Sequence, residues 1–215
     1  MKTEVYIFSG LGADERIFQN LDFSTNNVTH IKWIEPSKNE LIEDYAFRIT
    51  KQINEKNPIL LGVSFGGIIA TEVAKHISCS KIVIISSVKT RWEVPFYFRW
   101  AVALKLHLLI PTNFLKHANF ISYWLFGVKN QNEKDLLKNI LADTNDIFLK
   151  WALGKIGKWK NIIIHSNLIH IHGDNDRILP ISFSKPNYQI KGGGHFMTLN
   201  NASEITEILK KEINN

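Results

Sequence analysis

Cysteine is almost missing from this chain of 215 residues. The lone thiol, Cys79, excludes an internal disulfide and any cysteine-based zinc cluster, and it fits a reducing compartment. No pair of His, Asp or Glu has ligand spacing on a helix or hairpin, so neither a metal nor another cofactor is expected. Apolar runs long enough to cross a membrane are missing too. The opening stretch, Met1 to Phe8, is too short in apolar length for a signal peptide and reads as an immediate strand. The expectation is a cytoplasmic protein without stable membrane insertion. Repeats and low-complexity tracts are lacking. No recognised nucleic-acid motif accompanies the basic residues, so nucleic acid is not an expected partner.

Acidic residues run short in one place. The formal charge is +6, yet residues 89–160 hold twelve Lys/Arg against five Asp/Glu, while the rest of the chain is close to balanced. Five of the six tryptophans (Trp92, Trp100, Trp124, Trp151 and Trp159) fall in the same interval. This shift marks a separate unit bordered near Val88 and Lys160. The expected organisation is a core of residues 1–88 and 161–215, interrupted by a helical subdomain over 89–160.

The present features centre on Gly62-Val63-Ser64-Phe65-Gly66. Asn57-Pro58 breaks what precedes, and Ile59 to Val63 reads as a short buried strand. Ile68, Ile69, Val73 and Ala74 then follow at helical spacing. A serine on a strand-to-helix turn has strained backbone angles, and side chains at 62 and 66 would collide with the neighbouring elements. The helix start offers free N–H groups and the positive end of a dipole, which suit a developing oxyanion. The competing reading is a tight glycine-rich turn without chemistry.

Around this stretch the pattern alternates. Glu4–Phe8 is expected as a strand, with Asp14 capping a short helix that carries Ile17, Phe18 and Leu21. Val28–Ile34 reads as a strand, residues 39–55 as an amphipathic helix and Lys81–Ser86 as a fully apolar strand. That rhythm argues a parallel sheet covered on both faces. From Arg91 only helices are expected: Phe96–Ile110, Phe114–Phe126, Asn132–Ala142 and Asp146–Lys155. Alternation resumes with the strand Leu168–His172, a short extended segment Asn187–Lys191, and a final helix from about Ala202 to Ile213.

A nucleophilic serine needs a base, and the base needs an orienting carboxylate. Asp176 follows the strand ending at His172, and His195 follows three glycines. Asp174 is the rival acid, read here as a turn former. His170 reads as a core residue and His172 as a neighbour of Gly173. The elbow at Ser64, the run His172-Gly173-Asp174-Asn175-Asp176 with Pro180, and Gly194-His195 before the last helix together resemble an α/β-hydrolase fold protein over nearly the whole chain. The resemblance implies Ser64 as nucleophile, His195 as general base and Asp176 as its acid. It implies an oxyanion hole from the backbone N–H groups of Phe65 and Leu11. Many relatives carry His-Gly where this chain has Ser9-Gly10. Set against the family pattern, the first strand here resembles the family's third, with the first hairpin lacking, and the resemblance implies a sheet of about six strands, all parallel, with residues 89–160 as a helical lid.

The activity implied is serine hydrolysis of a small or medium carboxylic ester or thioester. C–C bond cleavage, elimination or acyl transfer by the same residues is the alternative, and a catalytically silent ligand-binding protein a third reading. Trp100, Tyr123, Trp124, Phe126 and Phe148 are candidates to line an apolar cleft above Ser64, or else they pack the helices together. The basic residues read as a solvated face, a rim for anionic substrates, or a contact for an anionic membrane. Oligomeric state is left open.

Overall fold

The computed structural model describes residues 2–213. Six strands form one sheet: β1 (Thr3–Phe8), β2 (Asn26–His30), β3 (Ile59–Val63), β4 (Lys81–Ile85), β5 (Leu168–Gly173) and β6 (Tyr188–Ile190). Their spatial order is β2-β1-β3-β4-β5-β6, and every neighbouring pair is parallel. Alternate strand residues point to opposite faces. Val5, Ile7, Leu61, Val63, Val83 and Ile85 therefore join one core layer, and Tyr6, Phe8, Leu60, Ile82 and Ile84 the other. Burial on both faces explains why these strands are continuously apolar rather than alternating.

Ten α-helices are defined among the described residues. α1 (Ile42–Ile49) and α2 (Phe65–Val73) cover one face with Tyr45, Ile49, Ile68 and Ile69. Between β4 and β5 lie α3 (Phe96–Ala103), α4 (Leu106–Leu109), α5 (Thr112–Leu115), α6 (Phe120–Phe126), α7 (Gln131–Asp143) and α8 (Asp146–Lys158). α9 (Met197–Asn200) and α10 (Ala202–Ile213) close the chain. α7 adds Leu137 and Ile140 to one core layer, while α8 adds Phe148 and Ala152 to the other.

The helical interval is more broken than its spacing predicts. The expected helix over 96–110 stops at Lys105, whose φ of 60° is left-handed, a conformation that ends helices. The expected helix over 114–126 is split. Asn119 caps α6 by accepting from the Ile121 and Ser122 amides, and Ser122 Oγ accepts from the Asn119 amide. Such a capping box starts a helix wherever it occurs, and it outweighs the apolar periodicity that runs through it. The second strand ends at His30 rather than Ile34. Ile34 turns away to α1, where the Tyr45 hydroxyl accepts from its N–H and donates to its C=O.

The strand order reverses between β1 and β3: β2 lies on one side of β1, and every later strand on the other. Loops leaving the carboxyl ends of strands on either side of such a reversal open a crevice. Behind it, α2 is tied to the end of α8 through Glu72, which is fully buried and accepts from Trp159 Nε1 at 2.7 Å and from Lys75 Nζ at 2.7 Å. Trp159→Phe removes one donor from this buried carboxyl group and is expected to lower the unfolding free energy by about 2 kcal/mol. Urea unfolding measures this, and an unchanged midpoint would contradict it.

Candidate active site

Ser64 occupies the turn between β3 and α2 with φ 54° and ψ −120°. Few residues other than glycine hold such angles, and they persist only where the surroundings enforce them. The surroundings here are specific. A Cβ on Gly62 would fall on the Gly66 backbone, and one on Gly66 would fall on the carbonyls of Phe8 and Ser9. The Ser64 N–H donates to Ile85 O at 2.9 Å, and its C=O accepts from Gly67 N at 3.0 Å and Ser87 Oγ at 2.6 Å. The elbow is thus bound to the end of β4.

Asp176 and His195 come from loops after β5 and β6, and the structure brings both to Ser64. His195 Nδ1 lies 2.8 Å from Asp176 Oδ2, and His195 Nε2 lies 2.9 Å from Ser64 Oγ. A carboxylate only accepts, so in the neutral ring Nδ1 carries the hydrogen and Nε2 accepts from the serine hydroxyl. Asp176 and His195 are buried, whereas Ser64 is partly exposed among buried neighbours. The second carboxylate oxygen, Asp176 Oδ1, accepts from the Ile178 and Leu179 amides, both at 2.9 Å. Burial pushes the Asp176 carboxyl up, but the facing His195, the Leu179 amide and His172 outweigh it and hold the group below the usual carboxylate range. Asp174 has a different partner: it accepts from the Gly192 amide at 2.6 Å on an exposed turn.

Two histidines extend this chain into the core. His172 Nε2 lies 2.7 Å from Leu179 O and 3.6 Å from Asp176 Oδ2, and His172 Nδ1 lies 2.9 Å from His170 Nε2. Leu179 is therefore held on both sides, its N–H by Asp176 and its C=O by His172. Sequence reasoning treats the two histidines as separate minor residues. The available signal was their spacing of two on one strand, which puts both on the same face.

Phe65 opens α2, a position whose N–H has no partner in the helix ladder. On the facing loop, Ser9 Oγ donates to Ala13 O at 2.6 Å and Ala13 N donates to Gly10 O at 3.0 Å. A Cβ on Gly10 would stand 3.5 Å from Ser64 Cβ, so this loop lies against the serine. The Leu11 N–H donates to no acceptor among the described residues. A cavity of about 280 Å³ adjoins the same loop, walled by Gly12, Ala13, Trp33, Ile34, Thr144 and Phe148.

The five aromatic candidates separate. Phe126 stands edge-on to His195, with ring centroids 5.7 Å apart. Phe148 is buried against Trp33, Phe65 and Trp151 and walls the cavity just described. Tyr123 packs at the margin of a core layer, with Lys134 over its ring. Trp124 lies under the Arg177 guanidinium at 4.7 Å, and Arg177 also donates to its carbonyl. Trp100 is 65% exposed on α3. A residue not foreseen, Tyr97 of α3, feels the Asp176 carboxylate: burial and then the Asp176 charge raise its phenol. The loop bearing His195 is stitched to α6, since Phe196 N donates to Phe126 O at 3.0 Å and Asn200 Nδ2 to Gly127 O at 3.2 Å.

The buried histidines make stability pH-dependent. Burial, then the neighbouring His172 and Lys89, push His170 down to about 2. Burial also lowers His172, against the pull of Asp176. Both native values lie below the unfolded value near 6.5. The unfolded chain therefore takes up protons below about pH 6.5 that the folded chain refuses, and stability falls by about 1.4 kcal/mol per pH unit for each histidine. Asp176 adds its own loss only below about pH 4. Urea unfolding at pH 7.5 and 5.5 is expected to show a smaller loss for His170→Gln than for wild type. Equal losses would refute the assignment.

No family model and no curated protein sequence matches the chain. Solved structures do. The bromoperoxidase from Bacillus anthracis matches with a TM-score of 0.70 at 17% identity, covering 100% of this chain and 93% of that one. The esterase from Exiguobacterium antarcticum matches with a TM-score of 0.69 at 15% identity, covering 99% and 92%. The thermophilic esterase from Thermogutta terrifontis matches with a TM-score of 0.72 at 12% identity, covering 100% and 90%. With six parallel strands in this order, the serine at the turn after β3, and superposition along the full length, the chain has the α/β-hydrolase fold.

Proposed function

We propose that the protein is a serine hydrolase that cleaves a small or medium carboxylic ester or thioester through an acyl-enzyme on Ser64, with residues 89–160 as the lid of its site. The observation that carries this reading is the continuous hydrogen-bonded line from Ser64 Oγ through His195 to Asp176, at 2.9 and 2.8 Å. The esterases among the structural neighbours support the same class.

The chemistry follows from the geometry. Ser64 Oγ attacks the substrate carbonyl while its proton passes to His195 Nε2. Asp176, fixed by two backbone amides and already ionised, stabilises the imidazolium and keeps the ring in one tautomer. The Phe65 and Leu11 N–H groups receive the oxyanion, their fixed positions requiring no reorganisation as charge develops. Collapse of the tetrahedral adduct breaks the bond to the alcohol or thiol, which leaves with the proton from His195. Water then repeats the sequence and releases the acid. The replacement of His-Gly by Ser9-Gly10 is compatible with this role, because the Ser9 hydroxyl closes the loop onto Ala13 O.

Fluorophosphonate labelling followed by p-nitrophenyl esters of rising acyl length tests the proposal. Wild type should label and turn over esters. Ser64→Ala should not label, and Asp176→Asn should keep the fold while losing about 10⁴-fold in kcat. Labelling without turnover of any ester would favour cleavage, elimination or transfer chemistry at the same serine. Folded protein that refuses the probe would overturn the reading.

A further inference from the structure

The helices between β4 and β5 carry an apolar surface that the fold leaves uncovered. α4, α5 and α6 bury none of their residues, and α3 buries only Val102. Yet these helices consist largely of Leu, Ile, Phe, Tyr and Trp. Leu109 is 77% exposed and Phe120 is 81% exposed, and Trp100, Leu104, Phe114 and Ile121 are each more than half exposed. Twelve of the nineteen large apolar side chains exposed among the described residues lie between Phe96 and Trp124. Large exposed apolar surfaces mark interaction sites.

Charge identifies what covers it. Between Glu93 and Glu133 the chain has no Asp or Glu at all, while Arg99, Lys105, Lys116 and Lys129 lie in that interval. Lys116 is paired with Asp146 at 3.0 Å, but Lys105 and Lys129 form no ion pair among the described residues. Arg177 joins the edge of the patch over Trp124. An isologous contact with a second copy would set these cations against themselves with no carboxylate in the interval to answer them. A surface of lipid phosphates satisfies both features. Leu and Phe enter the headgroup boundary, Trp sits at that depth, and Lys and Arg meet the phosphates. No described helix is long and apolar enough to cross a membrane, so the contact is peripheral.

We propose that the face formed by α3 to α6 docks on an anionic lipid surface. The contact does not depend on the acyl-enzyme reading. Flotation of the full-length protein with vesicles of phosphatidylglycerol and phosphatidylcholine, beside vesicles of phosphatidylcholine alone, tests it. Binding to the anionic vesicles should be about tenfold tighter or more, and should weaken as salt is raised. Leu109→Ser with Phe120→Ser changes only exposed side chains, so the fold, read by circular dichroism, should persist while binding falls about tenfold. Lys105→Glu with Lys129→Glu should act likewise.

The proposal fails if neither vesicle floats the protein, if both float it equally, or if both double variants bind as wild type does. It also fails if the apolar variant instead abolishes a concentration-dependent dimer that shows no affinity for vesicles. Fluorophosphonate labelling of Ser64 without lipid reads the chemistry separately, so failure of one idea leaves the other standing.

Discussion

A serine held at φ 54° between a strand and a helix is the constraint on which the rest of this structure depends. The angle is costly for any residue with a side chain, and it survives because three neighbouring elements close around it. Gly62 and Gly66 let β1, β3 and α2 approach to a distance at which a methyl group would strike backbone. Ile85 and Ser87 then pin the turn to β4. The reversal of strand order falls between β1 and β3, beside the turn that carries the hydroxyl. Local strain, glycine placement and sheet topology are one arrangement seen at three scales.

The electrostatics are layered in the same way. An ionised carboxylate at Asp176 is expensive to bury, and the site meets that cost with two amides on one oxygen and an imidazole on the other. Behind it, His170 and His172 are both pushed toward neutrality by burial. A neutral His172 still donates to Leu179 O, and so it steadies the loop that carries Asp176. Three imidazoles line up within the span from β5 to α9, and only the one facing the serine is placed to exchange protons with it.

Much of this was legible in the residues. The parallel sheet follows from short, fully apolar strands alternating with helical periods; Ser64 and His195 stand out by their glycine context, and Asp176 is preferred to Asp174 through the resemblance to the α/β-hydrolase pattern. What was not legible has physical causes. Periodicity sees apolar spacing but not the αL turn at Lys105 or the capping box at Asn119, so two long helices were expected where four short ones occur. It also ignores where an aromatic side chain ends up. Phe148 and Trp100 look alike in sequence, yet one is enclosed by Trp33, Phe65 and Trp151 while the other stands in solvent. The pairing of His170 with His172 needed only the two-residue period of a strand, but its meaning required knowing that the Leu179 carbonyl folds back over β5.

The join between α6 and the loop carrying His195 ties the two together. Phe126 and Gly127 are fastened to Phe196 and Asn200, and the Phe126 ring rests against the imidazole itself. A shift of α6 would carry the His195 loop with it and lengthen the contact between His195 Nε2 and Ser64 Oγ. The placement of α6 is thus part of what sets the geometry at Ser64, although among the described residues none of that helix bonds to the serine.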